Sequence, residues 1–284
     1  MTPASSAQPA TPRIAIVGSG FAGIGMAIRL LQMGITSFTI YEAAGDIGGT
    51  WRDNTYPGAA CDVPSHLYSF SFEPNPAWSR AFGGQAEIFA YLKHCARKYG
   101  VDRYVRCNAR VAAMHFDEAR QTWQVDIDSN GARESIEADD VGAPFDVTGL
   151  DGADLGAMWL RDGPEAYLGT SIANFPNFFM IVGPNTGLGH NSMIYMIESQ
   201  VQYIADCLRV LRRRKARTMN LRPDVQRDFN KRLQKEMQHS VWVSGCHSWY
   251  QTKSGKVTAL WPGFTFSFRK RTRRVRPHDY RFAP

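Results

Sequence analysis

Apolar residues along the chain follow two rhythms, and each predicts a different kind of element. Ile14, Ala15, Ile16 and Val17 run together, the mark of a short strand buried on both faces. Ile24, Ala27, Ile28 and Leu31 then recur at helical spacing within residues 21–33, and a second strand over 38–41 ends at Glu42. Residues 85–99 set Ile88, Leu92 and Cys95 on one helical face, with Gly100 as the stop. From 104 to 139 the pattern is that of a small antiparallel sheet. Val111, Met114 and Phe116 come first, then Trp123, Val125 and Ile127 alternate with polar residues, and Ser129-Asn130-Gly131 predicts a hairpin into 134–137. An apolar strand over 178–182 precedes a long helix over 193–211, and Val225, Phe229, Leu233 and Met237 mark another helix over 223–239. Phe264, Phe266 and Phe268 alternate with Thr265 and Ser267, which predicts a half-buried strand.

The first strand, helix and second strand bracket a glycine triplet. Gly18, Gly20 and Gly23 stand in G-x-G-x-x-G spacing, with Phe21 and Ala22 between the last two. Gly18 permits a tight turn, Gly20 lets a pyrophosphate approach the backbone, and Gly23 lets the helix pack close to the strand. The free N–H groups of that helix and the positive end of its dipole suit phosphates. Glu42 follows Gly23 by 19 residues, well placed to accept ribose hydroxyls. Together these features point to a dinucleotide site; a glycine-rich turn in an ordinary α/β domain is the alternative.

Composition narrows the class. The 284 residues, 44% hydrophobic, suffice for one large domain or two small ones. The net charge of +7 is concentrated in residues 212–217 and 269–276. No nucleic-acid motif accompanies either run, and the first closes an amphipathic helix where cations suit the dipole, so both read as solvated surface. Five scattered cysteines with no C-x-x-C pair fit a reducing cytoplasm and give no zinc pattern. Residues 1–12 read as a loose tail and not a signal peptide, and no run of 18 apolar residues suggests a membrane span.

Immediately after the Glu42 strand come Gly48, Gly49, Thr50 and Trp51, then Arg52-Asp53-Asn54-Thr55-Tyr56-Pro57-Gly58-Ala59-Ala60-Cys61-Asp62. This wording resembles the FAD-binding N-terminus of flavin-dependent monooxygenases of the Baeyer–Villiger and flavin-containing type. The resemblance implies an α/β fold, a three-layer Rossmann-like FAD domain with the small antiparallel sheet as an excursion. It implies FAD as cofactor, held by the glycine triplet with Phe21 and Ala22, by Glu42 at the adenosine ribose, and by Gly49, Thr50, Trp51, Arg52 and Asp53 toward the flavin. Asp62 and Tyr68 are implied near the isoalloxazine ring, Asp62 also as the one candidate catalytic residue. Val111 is implied where the backbone passes the adenine, and Asn185 in the loop before the helix that approaches the flavin pyrimidine. For Trp51 and Tyr68 the plain alternative is core packing, and for Asp62 a turn role before Val63-Pro64. His190 is the histidine nearest the implied flavin, with either a chemical or a capping role. Ser248-Trp249-Tyr250 resembles a loop that packs over nicotinamide and substrate, and His94 reads as a surface residue.

The resemblance covers residues 13–140 and 143–276, and what lies between is an absence. Relatives of this type carry a second dinucleotide domain for NADPH with its own glycine triplet, and Baeyer–Villiger members add a Phe-x-Gly-x-x-x-His-x-x-x-Trp fingerprint and a catalytic arginine. Phe82-Gly83-Gly84 begins like the fingerprint, but Ile88 stands at the histidine position. Residues 136–141 pass directly into Gly142-Ala143-Pro144-Phe145-Asp146-Val147-Thr148-Gly149, similar to sequence from beyond the NADPH domain. We therefore expect a tail over 1–12, an FAD domain in two parts, 13–140 and 141–284, and a junction near 140–142 where the NADPH domain is missing. The expected function is an FAD-binding flavoprotein with NADPH-driven oxygenation lost or impaired and a small-molecule substrate left unidentified. Two alternatives remain open: an oxygenase or oxidase fed by an external reductase or reduced flavin, and a scaffold that no longer binds FAD. The surface uncovered by the missing domain is a candidate for self-association.

Overall fold

A computed structural model describes residues 12–142, 146–189, 191–243, 250–252 and 254–284. In chain order, β1 (Ile14–Val17) leads to α1 (Phe21–Gln32), β2 (Phe38–Tyr41), the four-residue helix α2 (Thr50–Asp53), α3 (Gln85–Lys98) and β3 (Val105–Arg106). Next come β4 (Ala109–Asp117), β5 (Thr122–Ser129), β6 (Ala132–Ala138), β7 (Asp140–Val141) and β8 (Asp146–Thr148). The remainder supplies α4 (Leu155–Asp162), α5 (Met193–Arg214), β9 (Thr218–Leu221), α6 (Pro223–Met237), α7 (Thr265–Thr272) and β10 (Tyr280–Ala283).

Strand periodicity builds three layers. The parallel sheet runs β3-β2-β1-β7. Ile16, Phe38 and Ile40 point to a core shared with α1, α3 and α5, whereas Ala15 and Tyr41 point the other way, into a second core with β4, β5 and β6. That second core lies under a sheet ordered β6-β5-β4-β8, with Trp123 fully buried and its Nε1 donating to the Pro176 carbonyl at 2.8 Å. The expected hairpin forms between β5 and β6, with Asn130 (φ 50°) and Gly131 (φ 84°) both left-handed, as a two-residue loop of this twist requires.

The sheet changes character at residues 139–142. After β6, the Asp139 N–H bonds the Arg13 carbonyl, and β7 pairs with Ile14 and Ala15 for two residues only. Beyond residue 142 the chain has left this sheet, because β8 pairs with β4 in the other. On the far side of β7, Val141 makes a single parallel bridge to Phe178. The strand expected over 178–182 is accordingly reduced to bridges at Phe178 and Phe179, since its neighbour ends after two residues. Ile16 and Val17 thus line a gap in the sheet together with Phe179–Val182, and Val182 takes φ 62°, a costly value for a β-branched residue.

Two further expectations change. The alternating phenylalanines form helix α7 and not a strand: Thr265, Phe268 and Thr272 share its buried face, while Phe264 and Phe266 are each 65% exposed and stack at 5.3 Å. The same spacing fits i, i+4, and packing decided between the two readings. The basic run that includes α7 is not wholly solvated, since the Arg269 guanidinium lies 3.5 Å from the Tyr195 ring centroid and pairs with Glu198 at 3.1 Å. His94 is an exposed residue, with Nε2 3.1 Å from the Glu73 carboxylate. Among the described residues no helix is long and apolar enough to cross a membrane.

Candidate functional site

The glycine cradle is built by close approach. Gly18 has φ +87°, open only to glycine at low cost. A Cβ on Gly23 would sit 2.0 Å from the Gly18 carbonyl oxygen, so any larger residue would push α1 off β1. Gly20 and Gly49 (φ +52°) meet backbone to backbone, a Cβ on Gly49 falling 3.1 Å from the Gly20 Cα. Gly20 opens α1 without a side-chain cap, which leaves the N–H groups of Phe21, Ala22 and Gly23 free of a capping side chain. Narrow glycine walls over an uncapped twelve-residue helix fit a diphosphate.

Glu42, at the end of β2, is buried and heavily engaged. Its Oε2 accepts from the Ser19 N–H (3.0 Å) and hydroxyl (2.6 Å), and its Oε1 from the Ala44 N–H (2.9 Å) and the Arg52 guanidinium (2.9 Å). Burial pushes its acidity down, but the Ser19 hydroxyl, the two N–H groups and Arg52 outweigh it and hold the carboxyl below its ordinary value. A ribose can share this carboxylate if its hydroxyls take the place of the Arg52 guanidinium, the one donor of the four that neither Ser19 nor the backbone supplies. Arg52 itself reaches back to Glu42, to the Asp46 carbonyl and to Asp53. Thr50 and Asp53 are exposed on α2.

Trp51 donates from Nε1 to the Tyr68 hydroxyl at 3.1 Å, and the two rings meet edge to face at 5.4 Å. Tyr68 also packs on Phe21, and burial pushes its phenol up to about 12. Val111 is buried in the second core, two residues from the Ala109 N–H that donates to the Glu42 carbonyl. Asn185 (φ 57°) donates from Nδ2 to the carbonyls of Val257 (2.9 Å) and Leu260 (3.0 Å); its side chain is committed to holding the 257–260 segment. His190, Ser248 and Trp249 fall outside the described residues.

A cavity of about 700 Å³ opens beside the cradle. The exposed Asp62 stands at its mouth, and Gly23 with the partly exposed Ala22, Leu188, Met193 and Tyr250 also lines it. Of the expected site residues, only Ala22, Gly23 and Asp62 line it. Because members of both cores form its walls, Met26 and Leu208 from one and Val141 and Met180 from the other, it crosses the parallel sheet at the gap above Val141.

At its inner end lies a residue the sequence reading did not single out as functional. Asp140 is 4% exposed, and its Oδ1 is buried without a hydrogen-bond partner. Burial, aided by the neighbouring Asp139, raises its carboxyl to about 8. Trp159, on α4, lines the same cavity with a buried Nε1 that has no acceptor. Strand alternation was the available signal: Asp139 turns out to meet Arg13, so Asp140 must turn in.

A model of NAD(P)-binding Rossmann-like domains matches residues 16–84. A Baeyer–Villiger monooxygenase of Streptomyces coelicolor is 29% identical over an alignment of 478 positions, spanning 94% of this chain and 92% of the relative. One from Pseudomonas aeruginosa is 28% identical over 494 positions, spanning 98% and 93%. Among solved structures, an oxidized steroid monooxygenase bound to NADP superposes with a TM-score of 0.86 at 16% identity, over 96% of this chain and 99% of that one. OTEMO in complex with FAD and NADP gives 0.86 at 13% identity, over 97% and 100%. Along its length the chain is similar in sequence to monooxygenases of the Baeyer–Villiger type, and it shares the fold of solved monooxygenases.

Proposed function

We propose that this chain is an FAD-binding flavoprotein of Baeyer–Villiger monooxygenase descent that has lost the NADPH domain and with it efficient NADPH-driven oxygenation. The observation that carries the reading is the two-residue strand β7, after which the chain abandons the sheet and leaves the gap beside β1. The lengths support it: alignments of 478 and 494 positions against 284 residues leave a long stretch of each relative opposite no residue here. So does the sequence, in which a single glycine triplet opens a helix after a strand.

In this reading the α1 N-terminus and the Gly20–Gly49 approach hold the diphosphate, and Glu42 accepts the ribose hydroxyls once Arg52 yields. Trp51 and Tyr68 form one wall toward the ring, with Asp62 at the cavity mouth. When bound, FAD supplies two-electron redox chemistry and the reaction of its reduced form with O₂. The protein's share is binding, orientation and exclusion of water, and the gap in the sheet leaves the last of these incomplete.

The test is an absorption spectrum of the purified chain, repeated after NADPH is added without air. Flavin bands that NADPH bleaches only slowly are expected, with electrons from an artificial reductant recovered mainly as hydrogen peroxide. A colourless protein that gains no thermal stability from added FAD would overturn the cofactor assignment. Bleaching by NADPH at an enzyme-like rate would overturn the loss of hydride delivery.

A further inference from the structure

The cavity through the sheet holds a buried acid, Asp140, that neither the cradle nor the flavin reading uses. Its described walls are mostly apolar, and among them stand two acids, Asp62 at the mouth and Asp140 at the inner end, with no lysine, arginine or histidine. Asp140 sits beside Ile14 on the face of β7 that looks to α5, close enough to the buried Cys207 for its charge to act on that thiol. Asp139 stands next to it in the chain but turns outward to Arg13 and, at 3.9 Å, to Arg217. Asp140 is thus an orphan acceptor at the bottom of an apolar hole of ligand size. Trp159, Phe179 and Tyr250 add aromatic rings to the same walls.

We propose that the inner end of this cavity binds a small amphipathic amine, its ammonium paired with the Asp140 carboxylate and its apolar body against Met26, Ile204 and Leu208. An ammonium supplies both things this residue lacks, a hydrogen-bond donor and a compensating charge. A neutral ligand supplies at most the first. Asp140 keeps its proton near neutral pH, so pairing expels that proton to solvent. The site does not depend on the flavin assignment.

The experiment is calorimetric titration of the full chain with cyclohexylamine and with cyclohexanol, its neutral isostere, at pH 6.5 to 8.5 in buffers of different ionisation enthalpy. The amine is expected to bind at least tenfold tighter than the alcohol, to tighten as pH rises toward about 8, and to release up to one proton near pH 6.5. Asp140→Asn should lose at least tenfold for the amine, abolish proton release and leave the alcohol unchanged. Asp62→Asn should change the amine affinity less than threefold, which separates the inner end from attraction at the mouth. Equal affinity for amine and alcohol, an unaltered Asp140→Asn, or binding without proton release each overturns the proposal. The proton count is read on the unaltered chain, so a poorly folding variant leaves the proposal testable. Repeating the titration with added FAD separates this site from the cofactor reading: a colourless chain that still binds the amine sinks only the latter.

Discussion

The two flanks of β1 obey opposite rules. At its carboxyl end, toward β2, polar groups close on one another: Glu42 accepts four hydrogen bonds, Ser19 supplies two of them, and the Gly48 N–H ties back to the Ser19 carbonyl. Along its other edge the sheet falls open after Val141, and a buried carboxyl stands without a partner. The first flank is written within residues 14–52, so its partners arrive together. The second is assembled from residues near 14, 140 and 178, and shortening one of the three segments leaves the other two facing a gap. The glycine cradle therefore depends on a short stretch of chain, and the middle of the same sheet on segments far apart in sequence.

The contrast breaks most visibly under pH. A carboxyl raised in the native state keeps its proton where the unfolded chain has released it, so the native state is the more protonated and stability falls as pH rises. For Asp140 the window runs from its ordinary value near 4 to about 8, at roughly 1 kcal/mol per pH unit. Chemical denaturation across that range should show the decline, and Asp140→Asn should flatten it. A flat profile in the unaltered chain would mean that Asp140 is not buried unpaired.

Gly23→Ala probes the closed flank. With 2.0 Å available to the new Cβ against backbone, destabilisation of roughly 3 kcal/mol or more is expected in the same assay. Glu42→Ala comes next, at about 2 kcal/mol, because it strands the Ser19 and Ala44 N–H groups. The stabilisation given by added FAD should shrink at least tenfold in apparent affinity, read as a lost thermal shift. The smallest effect belongs to Phe264→Ser with Phe266→Ser. Exposed as they are, stability should move by less than about 0.5 kcal/mol, while sedimentation should show less self-association if the uncovered surface includes this stacked pair.

Much of this could be read from the residues before the fold was seen. The strand, helix and strand around Gly18, Gly20 and Gly23 fall where their periodicity puts them, and the Asn130-Gly131 hairpin turns as that dipeptide predicts. Local chemistry suffices for such elements: each needs only neighbours a few residues away. The phenylalanines of α7 show the limit, since three aromatic residues at alternate positions satisfy a strand and half satisfy a helix. Asn185 shows another, its place in the chain being legible and the commitment of its side chain to Val257 and Leu260 not.

By itself the sequence determined the nucleotide end of this protein, because glycines at fixed spacing and an acid at the next strand's end act through backbone geometry over a short span. Tertiary structure alone decided the gap beside β1, the burial of Asp140 and the cavity that joins the two cores. Those depend on which distant segments reach the sheet and how far each runs along it, and burial is a property of the assembled layers that no single stretch of chain carries.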